Sequence, residues 1–267
     1  MAGEAKPVAL VLTAHADDAE FFAGGTIAKL VHQGYRVVEV IATDNGRGSF
    51  ELDSTALVAQ SRHVEAQAAA KVIGKDEIFF LDYPDGFLNE TPPNVLRERY
   101  IRAIRQHRPK VVLTFDPWAP LEPHPDHRHV AFAAVEALSF SHMPLFHPEH
   151  AKDGLAPHLV PERYYFAKNG ERCNRYIDIS LFIEKKIDAL CAHESQMKMT
   201  IDDLRLSIKA TGLHEELLAF LDRDNYRPAF DMYIRAWAQG VGKKAGLEYA
   251  EEFRHEHAAA LFDSITA

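Results

Sequence analysis

The sequence predicts an α/β fold: a Rossmann-like, doubly wound and mostly parallel sheet with a helical C-terminal extension. Two observations support this prediction. Short runs rich in β-branched residues alternate with amphipathic helical patterns up to about residue 140, which is typical of parallel βαβ units. Helical patterns then predominate in the rest of the chain. We expect a single domain over residues 1–267, with a core at 1–141 and a mixed, mainly helical extension at 142–267.

The predicted strands are short apolar runs that end before polar segments. In the first half they cover residues 8–13, 36–43, 77–81 and 110–114. Two further strands are expected at 164–167 and 175–179, after a stretch rich in proline and histidine at 142–161. The irregular histidine spacing in that stretch favours a solvated loop.

Each predicted helix has a recognisable start or stop. A helix over about 25–33 ends at Gly34, a common C-terminal residue. Thr91 is the expected N-cap of the helix that precedes the fourth strand, with Pro92 at its first helical position. Ser180 is the expected N-cap of a helix through residue 196, and two more helices are expected at about 203–221 and 232–239.

Composition narrows the class of partner. The chain has 30 Lys and Arg against 39 Asp and Glu, a formal net charge of −9. We therefore expect neither a nucleic-acid nor a membrane partner, since both polyanions attract clustered basic residues. The two cysteines are too few for a disulfide framework and favour a cytoplasmic location. A small molecule is the expected partner.

Two segments are dense in metal-binding residue types, and each follows a predicted strand. The first is His15-Ala16-Asp17-Asp18-Ala19-Glu20 and the second is His124-Pro125-Asp126-His127. The carboxyl ends of parallel strands are where open α/β sheets bind ligands. A catalytic zinc takes three protein ligands and leaves one position open, so the spacing alone offers four candidates, two in each segment three residues apart. Taken singly, the first segment also fits a helix N-cap with acidic residues, and the second fits a surface turn.

These residues carry a resemblance to the PIG-L/LmbE-like zinc deacetylases. The first segment resembles the family's Ala-His-Pro-Asp-Asp-x-Glu signature, and the second matches its His-Pro-Asp-His signature. Further agreement lies in Gly24-Gly25-Thr26, Arg62-x-x-Glu65, Tyr83-Pro84-Asp85-Gly86 and His193-x-Ser195-Gln196. Asp116-Pro117-Trp118 and Phe253-Arg254 are most similar to the diacetylchitobiose deacetylase branch of the family.

The resemblance implies a role for each matching residue. His15, Asp18 and His127 correspond to the zinc ligands and Asp17 to the general base. His124 corresponds to the electrophilic histidine, which Asp126 is expected to pair with and keep protonated. The candidates for substrate contact are Arg62, Asp85 and His193.

Two positions depart from the family pattern. Ala16 stands where proline is usual, which removes backbone stiffness but no chemical group. The loop at 44–49 replaces the family's Thr-Arg-Gly-Glu sequence and borders the expected substrate site. The identity of the substrate is therefore the least constrained inference.

The resulting expectation is an enzyme, a zinc-dependent amide hydrolase that removes an N-acetyl group from an N-acetylglucosamine-type mono- or disaccharide with metal-activated water. One alternative keeps the chemistry and changes the scaffold to a thiol-cofactor precursor, an antibiotic intermediate or another small amide. The other is a non-catalytic sugar-binding module. The resemblance also implies a homo-oligomer. Two roles stay open: Glu20 fits either an orienting role at the site or a helix-dipole partner, and Trp118 fits either sugar stacking or packing.

Overall fold

The computed structural model describes residues 5–259, which form a seven-stranded, mostly parallel sheet with helices packed on it. The strands in chain order are β1 (Val8–Thr13), β2 (Arg36–Thr43), β3 (Glu77–Tyr83), β4 (Val111–Phe115), β5 (Glu162–Phe166), β6 (Arg175–Asp178) and β7 (Ala250–His257). The α-helices are α1 (Asp18–His32), α2 (Thr55–Ile73), α3 (Pro93–His107), α4 (Pro125–Phe140), α5 (Ile183–Cys191), α6 (Glu194–Thr211) and α7 (Arg227–Ala245). This architecture confirms the predicted α/β fold class.

The strand order is β3-β2-β1-β4-β5-β7-β6. The first five strands pair in parallel, and β7 pairs antiparallel to both β5 and β6. The chain winds from β1 outward to β3 and then returns to place β4 on the other side of β1. The reversal opens a crevice at the carboxyl ends of β1 and β4, the usual ligand position in a doubly wound sheet.

Helices cover the sheet as this winding requires. Helix α1 packs against α5, which also contacts α2, while α3 packs against α4. The main core consists of side chains from β1, β2 and β4 together with the inner faces of α1, α3 and α4. A second apolar cluster joins α5, α6 and α7. Within residues 5–259, no helix combines the length and the apolar character that crossing a bilayer requires.

Several predicted helix boundaries are wrong for identifiable reasons. Helix α3 begins at Pro93, because Pro93 holds the preceding Pro92 in an extended conformation (ψ 130°). The helix expected from Ser180 to residue 196 is instead α5 and the start of α6, separated at the buried His193. Helix α6 stops at Gly212, whose φ of +66° is a left-handed C-terminal conformation.

The C-terminal part contains more strand than expected. Three of the seven strands follow residue 141, and β7 was absent from the prediction because its polar sequence has only a few apolar side chains facing inward.

The 142–161 stretch is also more ordered than a solvated loop. Arg105 donates to three of its backbone carbonyls and to that of the preceding Ser141 at 2.7–3.0 Å, and His150 is fully buried between Arg105 and Glu98. The division at residue 141 remains a prediction.

Candidate active site

The two metal-rich segments meet at the crevice between β1 and β4. His15 and Asp18 lie in the turn from β1 into α1, and His124 caps α4 with Pro125 in its first turn. The end of β2 holds the first turn in place, since Asn45 Oδ1 accepts the Ala16 N–H at 2.7 Å and Thr43 Oγ1 donates to the Ala14 carbonyl at 2.8 Å. Proline at position 16 would lack this N–H, so alanine here provides a hydrogen bond that the usual family residue cannot make.

Three predicted metal ligands converge on one point. His15 Nδ1 and His127 Nε2 lie 3.3 Å apart, and the Asp18 carboxylate lies 3.5 Å from the first and 3.3 Å from the second. Bonds of about 2.0–2.2 Å to a tetrahedral zinc place its ligand atoms about 3.3–3.6 Å apart. The Asp18 carboxylate is fixed by the N–H groups of Ala14 and His15 at 3.1 and 2.7 Å. The donor set and its spacing therefore fit a zinc ion.

Carboxylates surround the imidazole of His15. Its second nitrogen, Nε2, lies 3.2 Å from Asp85 Oδ1 and 3.4 Å from Asp126 Oδ2. Burial by itself lowers the pKa of His15, but Asp18 and the other two carboxylates outweigh burial and raise the pKa well above its ordinary value. The negative charge gathered here favours a bound cation.

The position of Asp126 differs from the expected one. Its carboxylate accepts the N–H groups of Gly86 and Leu88 at 2.6 and 3.1 Å and lies next to His15, whereas only its backbone N–H contacts His124. In the described structure no hydrogen bond joins the Asp126 side chain to the His124 ring, although a carboxylate oxygen and a ring nitrogen lie within 4.8 Å of each other. Asp126 follows Pro125 into α4, and its carboxylate is held by the N–H groups of the loop after β3.

His124 is placed to donate a hydrogen bond as a neutral ring. Its Nδ1 accepts the Asp126 N–H at 3.3 Å, so the proton of the neutral imidazole resides on Nε2. Burial, with added repulsion from His15 and His127, lowers the pKa of His124 to about 4. The expectation that His124 is kept protonated is not supported by this environment.

Glu122 is a site residue that the sequence analysis missed. Its Oε1 lies 3.3 Å from His127 Nδ1, the ring nitrogen opposite the one that faces His15 and Asp18. The same oxygen accepts the backbone N–H of His124 at 2.9 Å. A carboxylate behind a ligating histidine fixes the ring and its tautomer. Lys168 Nζ lies 3.3 Å from the same oxygen. The Glu122-Pro123-His124 sequence carries a carboxylate near the motif, but no spacing rule assigns it.

Asp17 and Arg62 form an ion pair at the edge of the donor set. Arg62 Nη2 lies 3.0 Å from Asp17 Oδ1, and the Arg62 side chain is only 3% exposed. Both residues line the cavity, as does Asp85. Two of the three residues predicted to contact substrate therefore reach the cavity, and Arg62 additionally holds Asp17.

The third, His193, lies elsewhere. It is fully buried, and its Nε2 lies 3.5 Å from Glu20 Oε2 in the interior beneath α1. Another residue of the same motif reaches the cavity: Gln196 lines it and donates to the Gly48 carbonyl at 2.7 Å. Ser195 donates through its hydroxyl to the Glu65 carboxylate. The structure thus places Gln196, and not the expected His193, on the wall of the cavity.

Glu20 belongs to a buried charge cluster below the metal-binding turn. Lys75 Nζ donates to Glu20 Oε1 at 2.6 Å and to Glu39 Oε2 at 2.5 Å, and Thr13 Oγ1 donates to Glu39 at 3.0 Å. Burial raises the pKa of Glu20, but Lys75 and His193 outweigh it and lower the pKa to about 2. Glu20 is therefore an interior ion-pair partner.

One face of the Trp118 ring packs against the guanidinium group of Arg254. The ring lies 4.8 Å from the guanidinium of Arg254, which pairs with Asp116 at 2.9 Å and also lies over Tyr165. Trp118 as a whole is 47% exposed. The packing interpretation is supported.

A cavity of about 1020 Å³ opens from these groups. One end is polar and contains the histidines and carboxylates of the site. The other is largely apolar, with aromatic side chains from α1 and α7. A volume at the upper limit of the range for small-molecule sites leaves room for a substrate larger than an acetyl group.

Comparison with known proteins agrees with this geometry. The PIG-L family model, described as GlcNAc-PI de-N-acetylase, matches residues 10–138. Diacetylchitobiose deacetylase of Thermococcus kodakarensis is 32% identical over 246 residues, which are 92% of this chain and 81% of that protein. The chain belongs to the PIG-L family. The predicted resemblance and the prediction of an enzyme, an amide hydrolase, are thereby confirmed.

Other PIG-L relatives extend the comparison. The 1D-myo-inositol 2-acetamido-2-deoxy-alpha-D-glucopyranoside deacetylase of Mycobacterium sp. is 28% identical, covering 73% of this chain and 76% of that protein. The solved structure of N,N'-diacetylchitobiose deacetylase from Pyrococcus horikoshii, complexed with its inhibitor MPG, has a TM-score of 0.76 and 28% identity. It covers 97% of this chain and 86% of that one.

Proposed function

We propose that this PIG-L protein is a zinc-dependent N-deacetylase that removes the acetyl group from an N-acetylglucosamine-type mono- or disaccharide. The observation that carries the proposal is the convergence of His15, Asp18 and His127 at 3.3–3.5 Å, on the wall of a cavity large enough for a sugar. The names of the PIG-L relatives support an acetylated amino sugar as the substrate class. We further propose a cytoplasmic homo-oligomer.

The ion would be held by the two imidazoles and the Asp18 carboxylate. A zinc ion in such a site acts as a Lewis acid, lowering the pKa of a water molecule from 15.7 to about 7 and polarising a carbonyl. Asp85 and Asp126 orient the His15 ring through Nε2, and Glu122 does the same for His127 through Nδ1. These carboxylates keep the two ligating nitrogens aimed at the same point.

Asp17 and His124 are assigned the proton chemistry. The Asp17 carboxylate faces the cavity, where it would take a proton from the attacking water and return it to the leaving amine. Arg62, at 3.0 Å, holds that carboxylate in place. His124 would donate its Nε2–H to the oxygen of the acetyl group as negative charge develops there. In this assignment the imidazole acts as a neutral donor.

An Asp17→Asn substitution combined with elemental analysis tests the proposal. We expect about one zinc per chain in both proteins, and a fall in kcat of about 10² to 10⁴ for the variant, since a positioned base contributes that much. Asp82→Asn is a matched control, because Asp82 is exposed and lies outside the cavity. Absence of stoichiometric metal after metal-sparing purification, or full activity of Asp17→Asn, would contradict the mechanism.

A substrate panel tests the sugar assignment separately. Release of acetate is measured with N-acetylglucosamine, its β-linked disaccharide and an N-acetylglucosaminyl-malate conjugate. Turnover of the first two supports the proposal, and turnover of the conjugate alone would move the assignment to a thiol-cofactor precursor. A protein that binds zinc but cleaves none of these compounds would rule out the sugar assignment.

A further inference from the structure

A buried ion pair enters the backbone hydrogen bonding of α1. Lys186 on α5 and Glu251 on β7 lie 2.5 Å apart, with side chains only 3% and 4% exposed. The two oxygens of Glu251 accept the N–H groups of Gly25 and Thr26 at 2.9 and 2.7 Å. Lys186 Nζ donates to the carbonyl of Phe21 at 2.7 Å. In a regular helix the Gly25 N–H would donate to that same carbonyl.

The sequence of α1 allows this close approach. A Cβ atom at Gly25 would lie 2.6 Å from Cβ of Ile179, and one at Gly24 would lie 3.0 Å from Cγ of Lys186. Such contacts require the neighbouring element to move. The two glycines, which the catalytic chemistry does not use, therefore admit the segment that carries the ion pair.

The ion pair lies directly behind the apolar end of the cavity. Phe21 and Phe22, in the α1 turn that the pair contacts, line the cavity together with Trp237 of α7. We name these three residues the apolar wall. The Phe22 and Trp237 rings meet edge to face with centroids 6.1 Å apart, and the Lys186 ammonium lies 5.5 Å from the Trp237 ring. One ion pair thus contacts both helices that form the apolar wall.

We propose that Lys186 and Glu251 are positioning residues that hold the apolar wall in the orientation in which it binds the scaffold of the substrate. This inference rests on the proposed function, because it takes the cavity as the sugar site. Hydrogen bonds between charged side chains and the backbone are about twice as strong as neutral ones and are directional. By bonding to three backbone groups of α1, the pair ties this helix to α5 and β7. The pair acts on binding of the scaffold, away from the metal ligands.

Steady-state kinetics of Lys186→Met test the proposal. We expect KM to rise about fivefold to twentyfold with kcat changed less than about threefold, the pattern produced by loss of binding that ground and transition states share. The double variant Lys186→Met/Glu251→Gln removes both charges. It leaves no unpaired buried charge, so it replaces the single variant if that protein does not fold. The same KM increase is expected for it.

Arg105→Met is the matched control. Arg105 is a buried cation that donates to backbone carbonyls of the 142–161 stretch and does not line the cavity. We expect a lower Tm but unchanged KM and kcat when all proteins are assayed well below their Tm. An unchanged KM in the Lys186 variants, or an equal KM increase in Arg105→Met, overturns the proposal.

A readout without turnover separates this inference from the proposed function. The chain has two tryptophans, so Trp118→Phe leaves Trp237 as the single tryptophan, which is excited selectively at wavelengths that tyrosine does not absorb. In that background Lys186→Met should shift the emission maximum, and Glu251→Gln should speed amide exchange of the segment 21–28, with neither change in Arg105→Met. If the wild type cleaves no acetylated sugar while these shifts occur, only the proposed function fails. Normal turnover without any shift refutes the positioning role alone.

Discussion

Replacing Lys75 with methionine removes the only cation seen in the described structure between two fully buried carboxylates, Glu20 and Glu39. Removing one partner of a buried ion pair typically costs about 3–5 kcal/mol, because a charge is left without compensation. Lys75 serves two carboxylates at 2.5–2.6 Å, so we expect a loss in the upper part of that range near pH 8. Urea denaturation followed by circular dichroism measures the free energy of unfolding.

The stability lost in Lys75→Met should depend on pH in a definite direction. Burial raises the pKa of Glu39 to about 7 in the wild type, even though Lys75 opposes this. A carboxyl whose folded-state pKa exceeds its ordinary value of 4.5 contributes stability below that value, and the contribution is lost as the pH rises through 7. Without Lys75 both carboxyls favour the protonated form, so the loss of stability should be smaller near pH 5 than near pH 8.

Two variants control this experiment. Lys75→Met/Glu39→Gln leaves Glu20 as the one carboxylate of this cluster, with His193 3.5 Å away, and should recover part of the lost stability. Lys198→Met breaks an exposed pair with Glu194 and should change the free energy of unfolding by no more than about 0.5 kcal/mol. The reasoning fails if Lys75→Met costs as little as Lys198→Met, or if its effect is the same at both pH values.

The remaining predictions concern the metal-binding turn. Glu122→Gln should weaken zinc binding about tenfold to a hundredfold by releasing the His127 ring, which competition with a chromogenic chelator measures; unchanged affinity would remove Glu122 from the site. Asn45→Ala should lower the free energy of unfolding by about 1–3 kcal/mol, because the buried Ala16 N–H loses its acceptor. Chemical denaturation checks this value, and recovery of stability in Asn45→Asp, which keeps an acceptor oxygen, would support the cause.

Much of the site was predictable because its signals are local. The strand before each motif is a short apolar run, and each donor pair is separated by three residues at a helix start. These features gave four candidate ligands, from which the family resemblance selected His15, Asp18 and His127. Helix ends were predicted less well where a proline restricts the residue before it, as Pro93 restricts Pro92, or where a buried polar residue interrupts a helix, as at His193.

The side chains that contact the site histidines or line the cavity from other loops were not predictable in the same way. Asp126 was expected beside His124, its close neighbour in sequence, but its carboxylate lies next to His15 across the crevice. Glu122 carries no pattern that marks it, and in the His193-x-Ser195-Gln196 motif the expected substrate contact was His193 and not Gln196. A contact between two loops depends on the direction in which each side chain leaves its own element, and residue spacing within one loop holds no information about that direction.

The sequence by itself determined the α/β class and the two strand ends that carry clusters of histidine and aspartate, because hydrophobic periodicity and short motifs act over a few residues. Only the tertiary structure decided which carboxylates orient His15 and His127, that Lys75 and Lys186 are buried ion-pair partners, and that α7 completes the cavity. The physical reason is that a buried charge is stable only beside a partner, and packing of distant segments selects that partner.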